Sequence, residues 1–355
     1  MNNYNFDGHK LVYHPDRVSQ YLATNDCYPL YMEISPVGSC NHRCIFCAYD
    51  YIGYPNRKLE TTITLELIDE LAESGLRSIL FAGEGEPLLH PDLHRFVKKA
   101  KDSGIDAGIF TNGQLLTPLQ SEQLLPYLTF IRFSFNAGTR ENYAQIHSVQ
   151  PDVFDKVLSH IRSAAEFKQK NGLQVDIGAQ FVLLPENLSS VTSAATTLRD
   201  IGADYLAIKP FVQQNELQGY HMSEQLPEDV LNDTLTELEN LSTDTFAVLA
   251  RKNAFEQYGK RAYSHCYGTS FITVLNSAGI ISSCLPYWEQ ENFSFGSIYE
   301  KSFKHIWNGE KRRAIVKNLE QTLDVHSCPP NCRPNAINAF LSDIKNSDVK
   351  HINFI

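Results

Sequence analysis

Residues 30–47 of the chain, LYMEISPVGSCNHRCIFC, join a short apolar run to a loop that is rich in cysteine. The apolar run 30–34 is predicted as a β-strand. The loop behind it carries three cysteines at the spacing C-x3-C-x2-C, namely Cys40, Cys44 and Cys47. Three thiolates this close together can hold three corners of an iron–sulfur cubane and leave its fourth iron open for a ligand. A zinc ion would need a fourth local ligand, for which His42 is poorly placed between two of the cysteines.

The chain from residue 30 to about residue 210 alternates short apolar runs with longer amphipathic segments. Strands are predicted at 30–34, 78–82, 106–110, 130–135, 174–182 and 205–209. Helices are predicted near 62–75, 91–103, 119–127, 151–170 and 188–201, several of them ending at a glycine. This alternation indicates an α/β fold with parallel strands and right-handed crossovers, as a partial barrel or an open doubly wound sheet. In both arrangements the functional face lies at the carboxyl ends of the strands.

The alternation stops after Lys209. Residues 210–227 are predicted as a long connection, and helices are predicted around 228–241 and 245–262. Two β-like runs after residue 264 flank a turn and predict a hairpin, which a helix over 301–318 follows. The resulting division is an N-terminal extension over 1–29, a barrel over 30–210, a helical connection over 211–263, a small second domain over 264–345 and a tail over 346–355.

A second set of four cysteines lies in the last quarter of the chain: Cys266, Cys284, Cys328 and Cys332. The predicted hairpin brings the first two together, and a Cys-Pro-Pro-Asn-Cys turn supplies the second pair. Four thiolates complete the ligation of one metal centre, and their spacing alone fits zinc and an iron–sulfur cluster equally well. The cysteine left over, Cys27, is interpreted as a small buried residue, with a hydrogen-atom donor as the catalytic alternative.

The cysteine loop behind the first strand resembles the signature of the radical S-adenosylmethionine (SAM) superfamily. The resemblance implies a partial (β/α)6 TIM-like barrel and a [4Fe–4S] cluster that is held by Cys40, Cys44 and Cys47, with SAM on the open iron. It also implies reductive cleavage of SAM to a 5′-deoxyadenosyl radical that abstracts hydrogen from a substrate. A flavodoxin- or ferredoxin-type protein is the electron donor that such a cluster implies.

Segments behind later strands resemble the same superfamily. Gly83-Glu84-Gly85-Glu86-Pro87 resembles its Gly-Gly-Glu-Pro segment, with Glu84 where glycine is common. Glycines allow the backbone to approach a ligand, and the Glu86 carboxylate can accept hydrogen bonds from the SAM ammonium group. The resemblance adds further candidates for SAM binding: Phe46, Asn112, Ser134, Asn136 and Val182. Lys209, at the end of the sixth predicted strand, is a candidate substrate contact and a weak catalytic candidate.

The second cysteine set resembles the C-terminal extension of the SPASM/twitch subgroup of this superfamily. Its four cysteines match the shorter, twitch-like form with a single auxiliary [4Fe–4S] cluster. The resemblance implies that this cluster takes an electron from a substrate radical or relays one to the first cluster.

Charge and hydropathy limit the partners and the compartment. The net charge is −10, from 31 basic and 41 acidic residues, which argues against a protein that binds nucleic acid by neutralising phosphates. No apolar run approaches the roughly 20 residues that span a bilayer, and the N-terminus has no apolar signal core. We therefore expect a cytoplasmic protein without a membrane partner, in which eight cysteines indicate metal ligation or catalysis rather than disulfides.

Three functional hypotheses follow. The first is a redox enzyme that dehydrogenates, deoxygenates or epimerises a polar small molecule of carbohydrate type. The second is a maturase that crosslinks or epimerises a ribosomal precursor peptide, although the 30 or so residues before the first strand are expected to be too few for a leader-binding module. The third, of another class, is a non-catalytic zinc or iron–sulfur scaffold.

Overall fold

The computed structural model describes residue 4 and residues 9–213, 219–222, 226–330 and 332–354. Its strands are β1 Tyr31–Ile34, β2 Ser78–Phe81, β3 Asp106–Thr111, β4 Phe130–Ser134, β5 Asp176–Leu183, β6 Tyr205–Pro210, β7 Ala247–Ala250, β8 Ile272–Leu275, β9 Ile280–Ser282 and β10 Ser294–Ser297. Its helices are α1 Pro15–Thr24, α2 Thr61–Glu73, α3 Leu93–Asp102, α4 Pro118–Leu124, α5 Arg140–His147, α6 Asp152–Asn171, α7 Val191–Asp200, α8 Glu228–Glu239, α9 Lys252–Glu256, α10 Phe303–Trp307, α11 Glu310–Thr322 and α12 Asn335–Asn346.

The strands form one sheet in the order β10-β9-β8-β1-β2-β3-β4-β5-β6-β7. Strands β1 to β7 pair in chain order and in parallel, and β8 joins β1 in parallel on its other side. Strands β9 and β10 continue the sheet with antiparallel pairing. The parallel α/β fold and the C-terminal hairpin expected from the sequence are therefore confirmed. The hairpin extends the sheet of the barrel strands directly.

Local signals fix several helix ends. The Glu60 side chain accepts hydrogen bonds from the backbone N–H groups of Thr62 and Ile63 and so caps the start of α2. Thr117 and Gln120 form a capping box at the start of α4. Gly172 ends α6 with a φ of 60°, which a residue with a side chain adopts less readily.

Alternation along the strands gives the sheet two different faces. On β1, Met32 and Ile34 are fully buried in the main core, which also contains residues of α2 such as Leu67 and Ile68. Glu33 lies between them and faces the opposite side, where it accepts a hydrogen bond from the Tyr31 hydroxyl. We call the helix-covered side the outer face and the opposite side the inner face. The same alternation places Arg132 of β4 and Lys209 of β6 on the inner face, because their neighbours along each strand belong to the outer core.

Two predicted helices differ from the structure. The segment predicted as a helix over 245–262 forms β7 and the short helix α9, because Ala247–Ala250 pairs with β6 and completes the parallel sheet. The helix predicted over 301–318 is divided into α10 and α11, with Gly309 between them. The connection predicted over 210–227 includes residues 214–218 and 223–225, which lie outside the described residues, as do 1–3 and 5–8 of the N-terminal extension. No helix in the described ranges has the length and apolar character needed to cross a membrane.

Candidate functional site

The loop between β1 and α2 holds the first cysteine set. Cys40, Cys44 and Cys47 are half-buried free thiols, and the N–H of Cys47 donates to the carbonyl of Cys44 at 3.1 Å. Burial raises the pKa of Cys40 to about 12, and the nearby Glu86 and Cys47 charges act in the same direction. The pKa of Cys44 is raised well above its usual value by burial and then by Cys47 and Cys40. Such thiols need bound metal to hold them as thiolates, which is the state in which they ligate.

A histidine that the sequence did not reveal lies beside this set. The Nδ1 atom of His147, at the end of α5, is 3.2 Å from the Sγ atom of Cys44. Its Nε2 atom accepts a hydrogen bond from the backbone N–H of Asn136 at 3.4 Å, and burial lowers the pKa of His147 well below its usual range. The neutral ring therefore carries its hydrogen on Nδ1 and donates it to the Cys44 sulfur. Because His147 is 103 residues from Cys44 in the sequence, no local motif indicates this contact.

The distance between the ligand sulfur atoms distinguishes a site for an iron–sulfur cluster from a site for a single metal ion. Among the described residues, only His42, Cys44 and His147 place their ligand atoms within 4.8 Å of one another, so neither cysteine set does. Four thiolates on one zinc ion lie about 3.8 Å apart, given a tetrahedral site with Zn–S bonds of about 2.3 Å. A cubane cluster holds its ligands at separate corners and further apart. No three cysteine sulfurs of the described residues therefore lie as close together as the ligands of one zinc ion do.

The Gly83–Pro87 segment supports the cysteine loop. A Cβ atom on Gly85 would lie 2.4 Å from the backbone oxygens of Val37 and Ser39, so this glycine permits close packing against the loop. Gly83 has a φ of +107°, and a Cβ there would meet Ser35 at 2.9 Å. The two glycines thus bring the segment against this chain's own backbone.

Glu86 is engaged by groups of the protein itself. Its carboxylate accepts hydrogen bonds from the Thr111 hydroxyl at 2.6 Å, from the Asn112 N–H at 2.8 Å and from the Leu88 N–H at 3.1 Å. Burial raises the pKa of Glu86 to about 7, against these hydrogen bonds. Asn112 in turn donates from Nδ2 to Asn41 in the cysteine loop at 2.7 Å. These contacts join the ends of β2 and β3 to the cysteine loop.

The remaining SAM-binding candidates lie along the ends of β4 and β5. The Asn136 side chain accepts a hydrogen bond from the Val182 N–H at 2.7 Å, which ties these two candidates together. Phe46 packs against a small apolar cluster that contains Ile146, Val182 and Leu184. Ser134, the last residue of β4, is half-buried. This apolar cluster therefore lies next to Phe46 of the cysteine loop, and the Asn136 side chain contacts it at Val182.

The two weak catalytic candidates occupy different environments. Cys27 is 4% exposed in a satellite core with Tyr21 and Phe271, and its thiol donates to the Ser270 carbonyl at 3.4 Å. Burial raises the pKa of Cys27 to about 12, as is typical of a structural cysteine. Lys209 is half-buried on the inner face, where burial, followed by the charge of Arg251, lowers its pKa to about 7.

All four cysteines of the second set line a single cavity, together with residues of the hairpin and the C-terminal segment. Hydrogen-bonding groups approach three of the sulfurs: the Tyr287 hydroxyl lies 3.4 Å from Cys328, the Asn338 amide 3.6 Å from Cys266, and the Tyr263 hydroxyl 4.0 Å from Cys332. Burial raises the pKa of Cys266 to about 11, and Cys332 adds to that effect. Four convergent thiols with polar groups around them suit a fully ligated cluster.

Glu84 joins the first site to the second set. This carboxylate, 2% exposed, accepts a hydrogen bond from the Ser277 N–H at 2.6 Å, in the turn between β8 and β9. It also accepts from Trp288 Nε1 at 3.3 Å and forms an ion pair with Arg57 at 3.0 Å. In the sequence Glu84 is noticeable only as a departure from glycine, because two of its partners, Ser277 and Trp288, lie about two hundred residues away.

Two family profiles match the chain. The radical SAM superfamily matches residues 34–197, and the SPASM iron–sulfur cluster-binding domain matches residues 266–334, which contain all four cysteines of the second set. A tungsten-containing aldehyde ferredoxin oxidoreductase cofactor-modifying protein of Pyrococcus furiosus is 22% identical over 313 residues, covering 81% of this chain and 84% of that protein. A SAM-dependent nucleotide dehydratase of Flammeovirga pacifica is 34% identical over 122 residues, which are 32% of this chain and 42% of that protein.

Among solved structures, Streptococcus suis SuiB bound to its precursor peptide SuiA has the same fold, with a TM-score of 0.66. It is 16% identical, and the match covers 90% of this chain and 74% of SuiB. SuiB has also been solved with bound SAM. The non-catalytic scaffold hypothesis is excluded, because members of the superfamily are enzymes. This chain belongs to the radical SAM superfamily and to its SPASM/twitch subgroup, and it is an enzyme whose cofactors are SAM and iron–sulfur clusters.

Proposed function

We propose that this enzyme reductively cleaves SAM at a cluster held by Cys40, Cys44 and Cys47 and abstracts hydrogen from a polar small molecule. When bound, the cluster and SAM supply a 5′-deoxyadenosyl radical for that abstraction. The observation that supports the proposal is the inner face of the sheet, where the Glu33 carboxylate accepts a hydrogen bond from the Tyr31 hydroxyl and forms an ion pair with Arg333. Tyr49, two residues after Cys47, lies close enough to Glu33 and Arg333 for both charges to act on it. Arg333 directly follows Cys332 of the second set.

The chain's own residues have separable tasks in this proposal. The three thiols hold the cluster, and His147 donates a hydrogen bond to one of them. Phe46, half-buried against the apolar cluster that contains Val182, would pack against the adenine ring of SAM. The outer core excludes water from behind the strands, since its residues on β1, β4 and β6 are fully buried. The four cysteines of the second set would hold an auxiliary cluster, which would supply a site for electron transfer when bound.

A polar small molecule, of which a carbohydrate is the type we favour, fits a site lined by ionisable groups on the inner face. The name of the Flammeovirga pacifica relative indicates that it acts on nucleotides, which contain a sugar. The alternative substrate is a precursor peptide, such as the one bound to SuiB. The likeness to SuiB is one of fold, and the charged side chains of the inner face favour the small molecule.

The test is anaerobic reconstitution with iron and sulfide, followed by reduction in the presence of SAM. We expect about eight irons per chain, four for each cluster, and formation of 5′-deoxyadenosine. Candidate deuterated sugars, sugar nucleotides and peptides are then screened for transfer of deuterium into 5′-deoxyadenosine. Transfer from a small molecule supports the proposal, and transfer from peptides alone contradicts it. A variant with Cys40, Cys44 and Cys47 replaced by alanine is the matched control, since it retains the second set.

A further inference from the structure

Two polar side chains without a partner lie on the cavity that the second cysteine set lines. Ser283 directly precedes Cys284, and Arg261 lies five residues before Cys266. The Oγ atom of Ser283 and the Nε atom of Arg261 are buried, and neither has a hydrogen-bond partner among the described residues, the four cysteine sulfurs included. Buried polar groups in folded proteins are almost always hydrogen-bonded. Two such donors on one cavity therefore indicate a bound group that accepts hydrogen bonds from them.

The Ser283 hydroxyl is held at the cavity by the hairpin. Ser283 follows β9 directly and is 3% exposed. Its backbone N–H donates to the carbonyl of Phe293 at 3.0 Å, so the pairing of β9 with β10 continues through this residue. The hydroxyl has one hydrogen, and rotation about its own bond is enough to direct that hydrogen into the cavity.

Arg261 reaches the same cavity from the segment before Cys266. Its Nη2 atom donates to the carbonyl of Cys328 at 3.0 Å and to the carbonyl of Pro329 at 2.6 Å, which fixes the guanidinium against the backbone at Cys328. Burial raises the pKa of Cys332, and the Arg261 charge, the next largest effect, lowers it. A positive charge and an unpartnered N–H group therefore lie beside the second cysteine set.

The two donors differ in what they could find in a zinc site and in a cluster site. A zinc ion brings no acceptor beyond the thiolates that bind it, and in this structure both donors lie out of hydrogen-bonding reach of those sulfurs. An iron–sulfur cluster brings inorganic sulfides, which accept hydrogen bonds. Reduction adds negative charge to a cluster, so donors and cations beside its sulfurs stabilise the reduced form.

Resting on the proposed function, in which the second set holds an auxiliary cluster, we infer that Ser283 and Arg261 bind this cluster through its inorganic sulfides. Ser283 donates from Oγ and Arg261 donates from Nε, and both contacts raise the reduction potential of the auxiliary cluster. The two side chains thus make the cluster a better electron acceptor than its four thiolates alone would.

Tyr263 provides a matched control within the same cavity. Its hydroxyl lies 4.0 Å from the Cys332 sulfur, but the single hydrogen of that hydroxyl is donated to Asn335 Oδ1 at 2.7 Å. Tyr263→Phe therefore removes a hydroxyl from the cavity without removing a donor to the cluster.

The test is an anaerobic redox titration of the reconstituted enzyme, followed by electron paramagnetic resonance of both clusters. We expect Ser283→Ala to lower the potential of the auxiliary cluster by about 59 mV, which is a tenfold change in the equilibrium constant of a one-electron couple. The potential of the first cluster should not change. Ser283→Thr, which restores a hydroxyl, should recover most of the loss, and Tyr263→Phe should keep the wild-type potential.

Arg261→Lys provides a second, independent variant if the iron content shows that Ser283→Ala does not load the second set. It keeps the positive charge and removes the Nε–H group, so it should also lower the potential of the auxiliary cluster. The inference is overturned if neither variant lowers that potential, or if Tyr263→Phe lowers it as much as they do. Formation of 5′-deoxyadenosine by the wild type is measured in parallel. Formation without these shifts refutes this inference alone, and the shifts without formation refute the proposed cleavage of SAM alone.

Discussion

Replacement of Glu84 by alanine should destabilise the enzyme by about 3–5 kcal/mol, the usual cost of removing one partner of a buried ion pair. Glu84 is almost completely buried and satisfies three donors: Arg57, the Ser277 N–H and Trp288 Nε1. A hydrogen bond to a charged group contributes about 1.5–3 kcal/mol, so the loss of these contacts accounts for a cost of that size. Glu84→Gln should cost less, since its amide oxygen can still accept a hydrogen bond from Ser277.

Glu289→Ala is the matched control, because Glu289 is the other carboxylate that pairs with Arg57 and its side chain is 42% exposed. An exposed pair of this kind contributes about 0–1 kcal/mol. Urea unfolding followed by tryptophan fluorescence measures the difference, and Trp288 reports on the Glu84 site itself. The reasoning is refuted if Glu84→Ala and Glu289→Ala shift the unfolding midpoint equally. Glu84→Gly would restore the residue common in the superfamily and should nevertheless be as damaging as alanine.

Three other predictions concern separate parts of the molecule. His147→Phe removes the hydrogen bond to Cys44, so the reduction potential of the first cluster should fall while that of the auxiliary cluster stays unchanged. Redox titration followed by electron paramagnetic resonance measures both potentials. An unchanged potential of the first cluster would contradict the assigned hydrogen bond. Trp307→Ala should lower the free energy of unfolding by about 3–5 kcal/mol, because Trp307 is 1% exposed and donates a hydrogen bond to the Cys27 carbonyl at 2.9 Å. A loss below about 1 kcal/mol in urea unfolding would contradict this prediction. Burial, followed by Arg251, Arg132 and Arg333, lowers the pKa of Lys209 to about 7, so its positive charge is present below that pH and lost above it. Nuclear magnetic resonance of the lysine-labelled enzyme should therefore show one lysine that titrates near pH 7 and is absent from Lys209→Arg; the absence of such a lysine from the wild type would contradict this.

Sequence periodicity located most of the barrel because each of its strands is a short apolar run between glycines and amphipathic helices. It failed at β7, where Ala247–Ala250 and the residues behind it are compatible with a helix. The segment becomes a strand because the edge of β6 offers hydrogen bonds to it, which is a tertiary effect. The hydrophobic periodicity of residues 301–318 also did not indicate that this segment forms two helices, with Gly309 between them.

The candidate site, like the fold, could be predicted from the sequence only in part. The spacing of the cysteines predicted both metal-binding sets, because the ligands within each pair or triad are close together in sequence. The contact of His147 with Cys44 could not be predicted, since about one hundred residues separate the two. The contacts of Glu84 with Ser277 and Trp288 could not be predicted either, since they span about two hundred residues. Lys209 was a candidate from its place at a strand end, but the three arginines whose charges lower its pKa come from separate parts of the chain.

The proposal that Cys40, Cys44 and Cys47 hold the cluster that cleaves SAM is tested most directly by 5′-deoxyadenosine formation in one pair of proteins. The wild type and the variant with these three cysteines replaced by alanine are reconstituted, reduced and supplied with SAM under the same conditions. We predict that the wild type forms 5′-deoxyadenosine, whereas the variant forms none and still binds about four irons at the second set. Formation by the variant at the wild-type rate, or no formation by a wild type with its full iron content, would contradict the account.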